Sequence, residues 1–182
     1  MSLSKWAIVA AAAVITLSAC GTHALAGPQL TVNGHPVSIA LYNSLVAAER
    51  QKIERTGVLI SSTSPRQTTI EASVIRELVR DAVIEQLATA RRITISAAEL
   101  QTHVSAVEHA LGGQLPFDQA LEQAGLSRGD FSAVLRYRLL EAHLARSAST
   151  TSGVIDGAIR SAKVIVTIGP CANRAYPSCV TP

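Results

Sequence analysis

The sequence predicts a mainly α domain of about five to six helices with a small antiparallel sheet. Three observations carry this. Helix-start grammar recurs along the chain, as Thr68 with Glu71, Ser96 with Glu99, and Ser127 as a cap. Apolar residues after each start return at helical spacing. Strand-like segments occur only at the two ends of the folded part, in 29–38 and 164–168. A lone terminal strand leaves its backbone unpaired, so Val164–Ile168 is expected to pair with the opening hairpin.

Ahead of these elements lies a segment of different character. Met1–Lys5 carries one positive charge, and Trp6–Leu17 is an almost unbroken apolar run. That run is shorter than the roughly 20 residues a spanning helix needs, and it has the charged and apolar regions of a secretory signal. Leu17-Ser18-Ala19-Cys20 follows, and it looks like a bacterial lipobox in which Cys20 is lipidated and becomes the first mature residue. The alternative is a plain signal peptide cleaved nearby, with Cys20 an ordinary thiol. On the lipoprotein reading, 1–19 is the signal, 20–28 a lipidated tether, 29–168 the folded domain and 169–182 a tail. Gly21 carries no Asp-type retention signal, so the anchor would hold the protein on the cell membrane, or on the outer membrane of a two-membrane host.

Fourteen of the first nineteen residues are hydrophobic. Without them the hydrophobic share falls from 48% to about 45%, the composition of an ordinary soluble domain. Charged residues make up 16% and the formal net charge is +3. That balance, with no Lys/Arg run, gives no reason to expect a nucleic-acid partner. With Cys20 acylated, Cys171 and Cys179 remain. An even pair in an exported chain is read as a disulfide across a turn-rich loop, with two free thiols as the alternative.

The mature chain opens with Gln29–Ser38, where Asn33-Gly34 suits a type I′ hairpin turn. A first helix follows, capped by Ser38 and stopped by Gly57, with Leu41, Leu45, Ala48 and Lys52 on one face and Tyr42, Val46 and Ile53 beside them. Ser61–Pro65 reads as a linker. Thr68 and Glu71 are expected to open the longest helix. Its apolar side is Ile70, Val74, Leu78, Ala82 and 84–87, its wet side Arg76, Glu77, Arg80, Asp81 and Glu85, and its end Arg91-Arg92. A third helix spans about Ala97–Leu111 and stops at Gly112-Gly113. A short one runs from Phe117 to Ala124. A fifth follows Ser127, with Phe131, Val134, Leu135, Leu139, Ala142 and Leu144 as its face. After a break at 149–153, Val154–Ala162 is a last helical stretch.

Three blocks in series resemble the N-terminal chaperone domain of the SurA, PrsA and PpiD class of exported folding factors. They are Val32-Asn33-Gly34-His35-Pro36-Val37 leading into a helix, Ile93–Leu100 after the long helix, and Phe117–Phe131 followed by Leu135 and Leu139-Leu140. The resemblance covers roughly residues 30–168. It implies a helical cradle that holds unfolded or partly folded exported polypeptides by apolar surface, without a nucleotide or other cofactor. Enzymatic relatives carry a parvulin isomerase module of about a hundred residues after this domain. Here fewer than 20 residues follow the terminal strand, so no isomerase activity is expected. Gly112-Gly113-Gln114-Leu115 resembles a parvulin Gly-Gly motif only faintly.

No nucleophile elbow, phosphate loop or Rossmann glycine pattern is present in the sequence. His103 shares a helical face with Glu99, but His109 lies about 120° away, so three convergent metal ligands are not expected. His23, His35 and His143 have no partner at useful spacing. No catalytic or metal residue is therefore assigned, and no particular helix face is identified as peptide-binding. With few aromatics, a shallow aliphatic groove is the expected form of a client site. A lipoprotein adaptor that docks one envelope or secretion partner would use the same kind of surface.

Overall fold

The computed structural model describes residues 27, 29–147 and 152–181. Cys20 and most of the break at 149–153 lie outside the described residues. Six helices and three short strands follow in the order β1 (Leu30–Val32), β2 (His35–Pro36), α1 (Ile39–Glu54), α2 (Pro65–Ala90), α3 (Ala97–Ala110), α4 (Gln114–Ala124), α5 (Arg128–Arg146), α6 (Ser152–Ser161) and β3 (Val164–Val166). A 3₁₀ turn, Gly169–Cys171, leads into the tail.

The sheet closes the two ends of the domain on each other. Asn33 (φ 54°) and Gly34 (φ 82°) take the left-handed conformations of a type I′ turn, which pairs β1 with β2. β1 pairs on its other side with β3, antiparallel, with Leu30 opposite Val166 and Val32 opposite Val164. β3 thus satisfies its backbone against the opening hairpin, as the lone terminal strand requires.

Helix starts follow local capping chemistry. The hydroxyls of Ser38, Ser96 and Ser127 each accept a hydrogen bond from the backbone N–H three residues on. Only Ser127 forms the reciprocal box, with Asp130 reaching back to its backbone N–H. The Thr68–Glu71 expectation is corrected. Ser64 is the cap and Pro65 the first helical residue, so α2 starts a turn earlier and Ser61–Ser64 belongs to its entrance. Proline suits that position because its missing N–H would be unbonded there anyway. Likewise α4 starts at Gln114 rather than Phe117, because Gly113 turns the chain at φ 109°.

The main core lies between the sheet, α1, α2 and the tail, around Leu30, Val32, Leu41, Tyr42, Ile75, Leu78 and Val79. A second cluster joins Ile84 and Ala88 of α2 to Leu140 and Leu144 of α5 and Ile155 of α6. A third, around Val104, Phe117 and Leu121, belongs to α3 and α4, with Phe131 edge-on to Phe117 at 5.2 Å between ring centres. Two face assignments are corrected. Leu140 is buried on α5 along with Leu144, while Leu139 is only half-buried and Ala142 is exposed. Asp81, expected on the wet side of α2, is 4% exposed.

The rest of that wet side is a seam between helices. Glu85 meets Arg136 at 2.7 Å, Glu77 pairs with Arg138, and Arg80 pairs with Glu141 and lies 3.9 Å from Asp156. Residues far apart in the chain supply these partners, so helical periodicity alone presents the stripe as solvated. In the tail, Cys171 and Cys179 are joined by a disulfide with Cα atoms 5.0 Å apart. Cys179 and Val180 are buried against the main core, and Arg76 donates to the Val180 carbonyl.

Candidate functional site

A concavity of about 710 Å³ lies where three elements diverge. One wall is the hairpin's exit, His35–Ser38. The floor is the middle and end of α2, with Ala82, Gln86, Thr89 and Ala90, and Tyr137 of α5 closes the far side. Small side chains at 82, 89 and 90 vacate the volume, since larger ones there would meet the hairpin and α5.

Each wall is held in place. The Gln86 side chain donates to the Val32 carbonyl at 2.9 Å and accepts from the Asn33 amide at 2.7 Å, which fixes the hairpin to α2. The Glu85–Arg136 pair fixes α5 on the other side. Tyr137 is half-buried; burial, then the charges of Glu85 and Asp81, push its phenol above the ordinary range, so it stays a neutral donor. Its hydroxyl has no hydrogen-bond partner among the described residues.

The sheet edge along this groove is poor at recruiting another strand. In the hairpin, His35 and Val37 turn their backbone groups toward β1, with the Val37 N–H on the Leu30 carbonyl at 2.8 Å. Pro36 is the outward position, and proline has no N–H to give. A ligand here would therefore be held by side-chain burial, with single hydrogen bonds from groups such as Tyr137 and Thr89.

A smaller cavity of about 290 Å³ lies between α1, α2 and α5, with Leu45, Glu49, Val74, Asp81, Val134 and Arg138 in its wall. Burial first, then the charges of Glu77 and Glu141, raise Asp81 to about 7 against the opposing pull of Arg138 and Arg80. It is a small acidic cavity along the helix seam, lined by Asp81, Glu49 and Glu77 with Arg138 beside them.

The histidines separate as follows. His103 and His109 are exposed on α3. Glu99 does not turn to His103; it meets His143 of α5 at 3.0 Å. His143 therefore has a partner that sequence spacing does not show, and the contact is an interhelix pair. Glu108 pairs with Arg128, which stacks 4.8 Å over the Phe117 ring. Among the described residues, no group of three His, Cys, Asp or Glu is placed to hold a metal ion.

A family model described as the SurA-like N-terminal domain matches residues 2–145. The chain belongs to that family. No curated protein and no solved structure matches it. The SurA-like match covers the groove from His35 to Tyr137, and it extends forward to residue 2. It stops before α6 and β3, so the resemblance expected over 30–168 is shifted toward the N-terminus. Family membership suggests a chaperone-like role and the binding of polypeptide substrates. SurA-like domains are extracytoplasmic, and no described helix is long and apolar enough to cross a membrane. No parvulin domain is found.

None of the groove residues is singled out by the sequence. The available signal is the set of small residues Ala82, Thr89 and Ala90 at helical spacing on α2, with Gln86 among them. It indicates missing volume only once the elements that face it are known.

Proposed function

We propose that this SurA-like protein is an extracytoplasmic lipoprotein, acylated on Cys20, that holds unfolded or partly folded polypeptides as a chaperone or assembly factor. The observation that carries the reading is the 710 Å³ groove between the hairpin, α2 and α5, inside the region that matches the family. Its surface is mainly apolar although six of its ten lining residues carry a polar group, and its edge strand offers no backbone donor. Such a site favours exposed aliphatic segments of many sequences over one defined ligand. Holding is reversible burial, so the mechanism calls for no catalytic residue, metal or cofactor.

The lipid anchor supplies place rather than affinity. Acyl chains on Cys20 contribute about 0.8 kcal/mol per buried methylene, which concentrates the domain at the membrane face where exported chains emerge. Suppression of aggregation tests the holding activity. The full-length protein, at a few-fold molar excess, is expected to lower light scattering of several unrelated unfolded proteins. Protection of none of them, with recovery of one stoichiometric envelope partner instead, would replace this reading with that of a dedicated adaptor.

A further inference from the structure

The loop between α1 and α2 is built to present apolar side chains to the outside. Leu59 is 92% exposed and Val58 38%, while the next residue, Ile60, is 3% exposed in the main core. Ile60 therefore pins the loop at the point where Leu59 projects. The loop is held from both sides. The Ser64 N–H and hydroxyl both bond the Ser61 carbonyl, and Arg55 at its start donates to the Gln123 carbonyl. Val58 and Leu59 together leave a small apolar pair on a loop that is otherwise Ser, Thr and Gly around the buried Ile60.

Charge around the loop points to the partner's chemistry. Arg55 and Arg66 are exposed and have no ion pair among the described residues. Arg76 and Arg174 lie close by in the wall formed by Thr68, Ala72 and Val180, and they too bond only backbone carbonyls. Of the nearby carboxylates, Glu54 is paired with Arg50 at 2.8 Å and Glu49 with Lys52 at 3.5 Å, while Glu71 accepts from Gln67 and keeps its charge. The end of the molecule is thus cationic around a projecting apolar pair.

The chain also enters the domain at this end. Gln29 and Thr167 exchange two hydrogen bonds of 2.9 Å, and two residues on, Gly169 packs on Tyr42 and Glu71 near the start of α2. The opposite end of β1 is the one tied to Gln86. Cys20 lies seven residues before Gly27, at most about 25 Å of chain. An acylated Cys20 therefore keeps the loop within tether's reach of the bilayer.

We propose that the Gly57–Ile60 loop is a second membrane contact, in which Val58 and Leu59 enter the interface of an anionic bilayer while Arg55, Arg66 and Arg174 face lipid phosphates. The inference rests on acylation of Cys20, because one small apolar loop binds too weakly to hold the protein alone. It fixes orientation. Glu85 lies twenty residues along α2 from Pro65, about 30 Å, so the α2 floor of the client groove is far from the loop, while its hairpin wall, where Val37 bonds Leu30, stays near the point where the chain enters.

The test uses the full-length lipidated protein with Leu59→Cys carrying an environment-sensitive fluorophore, in phosphatidylglycerol–phosphatidylethanolamine vesicles. Leu115→Cys, at an exposed leucine in the first turn of α4, is the comparison. Nitroxide lipids labelled near the headgroup are expected to quench position 59 several-fold more than position 115. Joint Arg55→Glu and Arg66→Glu substitution should cut that difference at least twofold. Mass analysis of the N-terminal peptide reads acylation in the same sample. An acylated protein whose position 59 stays in water overturns the loop contact and leaves the anchor intact; a peptide without acyl chains overturns the anchor reading itself. A blue shift at 59 on adding an unfolded polypeptide without vesicles also overturns the proposal, and makes the loop a client site.

Discussion

Burial of Asp81 beside Glu77 and Glu141 couples folding to pH. Arg80 and Arg138 offset part of the repulsion, Glu49 of α1 lines the same cavity, and Tyr137 feels the Asp81 charge from α5. The folded carboxyl titrates at about 7, against an ordinary 3.8. A raised folded value means that the stabilising contribution of the protonated form is complete below about pH 4. It is lost as the pH rises through about 7. Asp81→Asn keeps the shape and removes the titration. Urea unfolding is expected to show the variant more stable than the parent at pH 8, by on the order of 2 kcal/mol, with the gain shrinking toward pH 4. A gain independent of pH would show that Asp81 is solvated in the folded state. This carboxylate also marks a limit of reading faces from periodicity. The positions around Asp81 do form a charged stripe, but the stripe faces α5 rather than water, and that contact spans about sixty residues of chain.

Helix boundaries were legible wherever the deciding hydrogen bond is local. Ser38, Ser96 and Ser127 cap their helices through the third residue on, a contact fixed by sequence spacing alone. Thr68 was misleading because two caps compete within one segment, and Ser64 followed by Pro65 is the stronger start. In the observed helix, the Thr68 hydroxyl only turns back to the Ser64 carbonyl. For α5 the reciprocal Ser127–Asp130 box predicts that Ser127→Ala costs about 1 kcal/mol of stability by thermal or chemical unfolding. A loss below about 0.3 kcal/mol would mean that Phe117–Phe131 packing, not the cap, sets the start of α5. The tail tests a different element. Its disulfide closes a loop of eight residues, and paired Cys171→Ser and Cys179→Ser substitutions are expected to cost about 2–3 kcal/mol. Hydrogen exchange should rise first around Val180 and the facing start of α2, leaving α3 and α4 unchanged. The groove was illegible for a related reason. Its floor, walls and far side come from the hairpin, α2 and α5, and only tertiary packing brings them together.

At the scale of the whole molecule, three small cores give the protein a division of labour. The sheet, α1 and α2 form a firm body that joins the two chain ends. α3 and α4 share a separate cluster; α4 meets that body through contacts such as Arg55–Gln123, and α3 meets α5 through Glu99–His143. Between them α5 crosses α2 on the ion-pair seam and sets the width of the groove. In the proposed orientation the body stands on the membrane by its lower loop and tether, with the α2 floor of the groove about 30 Å from that loop. The central claim is that this groove holds polypeptide clients. A photo-crosslinking residue placed at Thr89, on the groove floor, tests it most directly, with His103 on the exposed side of α3 as the reference. Added to an unfolded exported protein, the Thr89 variant is expected to crosslink to several client segments and the His103 variant to few or none. Equal crosslinking at both positions, or none at Thr89 while aggregation is still suppressed, would contradict the account and place the client elsewhere on the molecule.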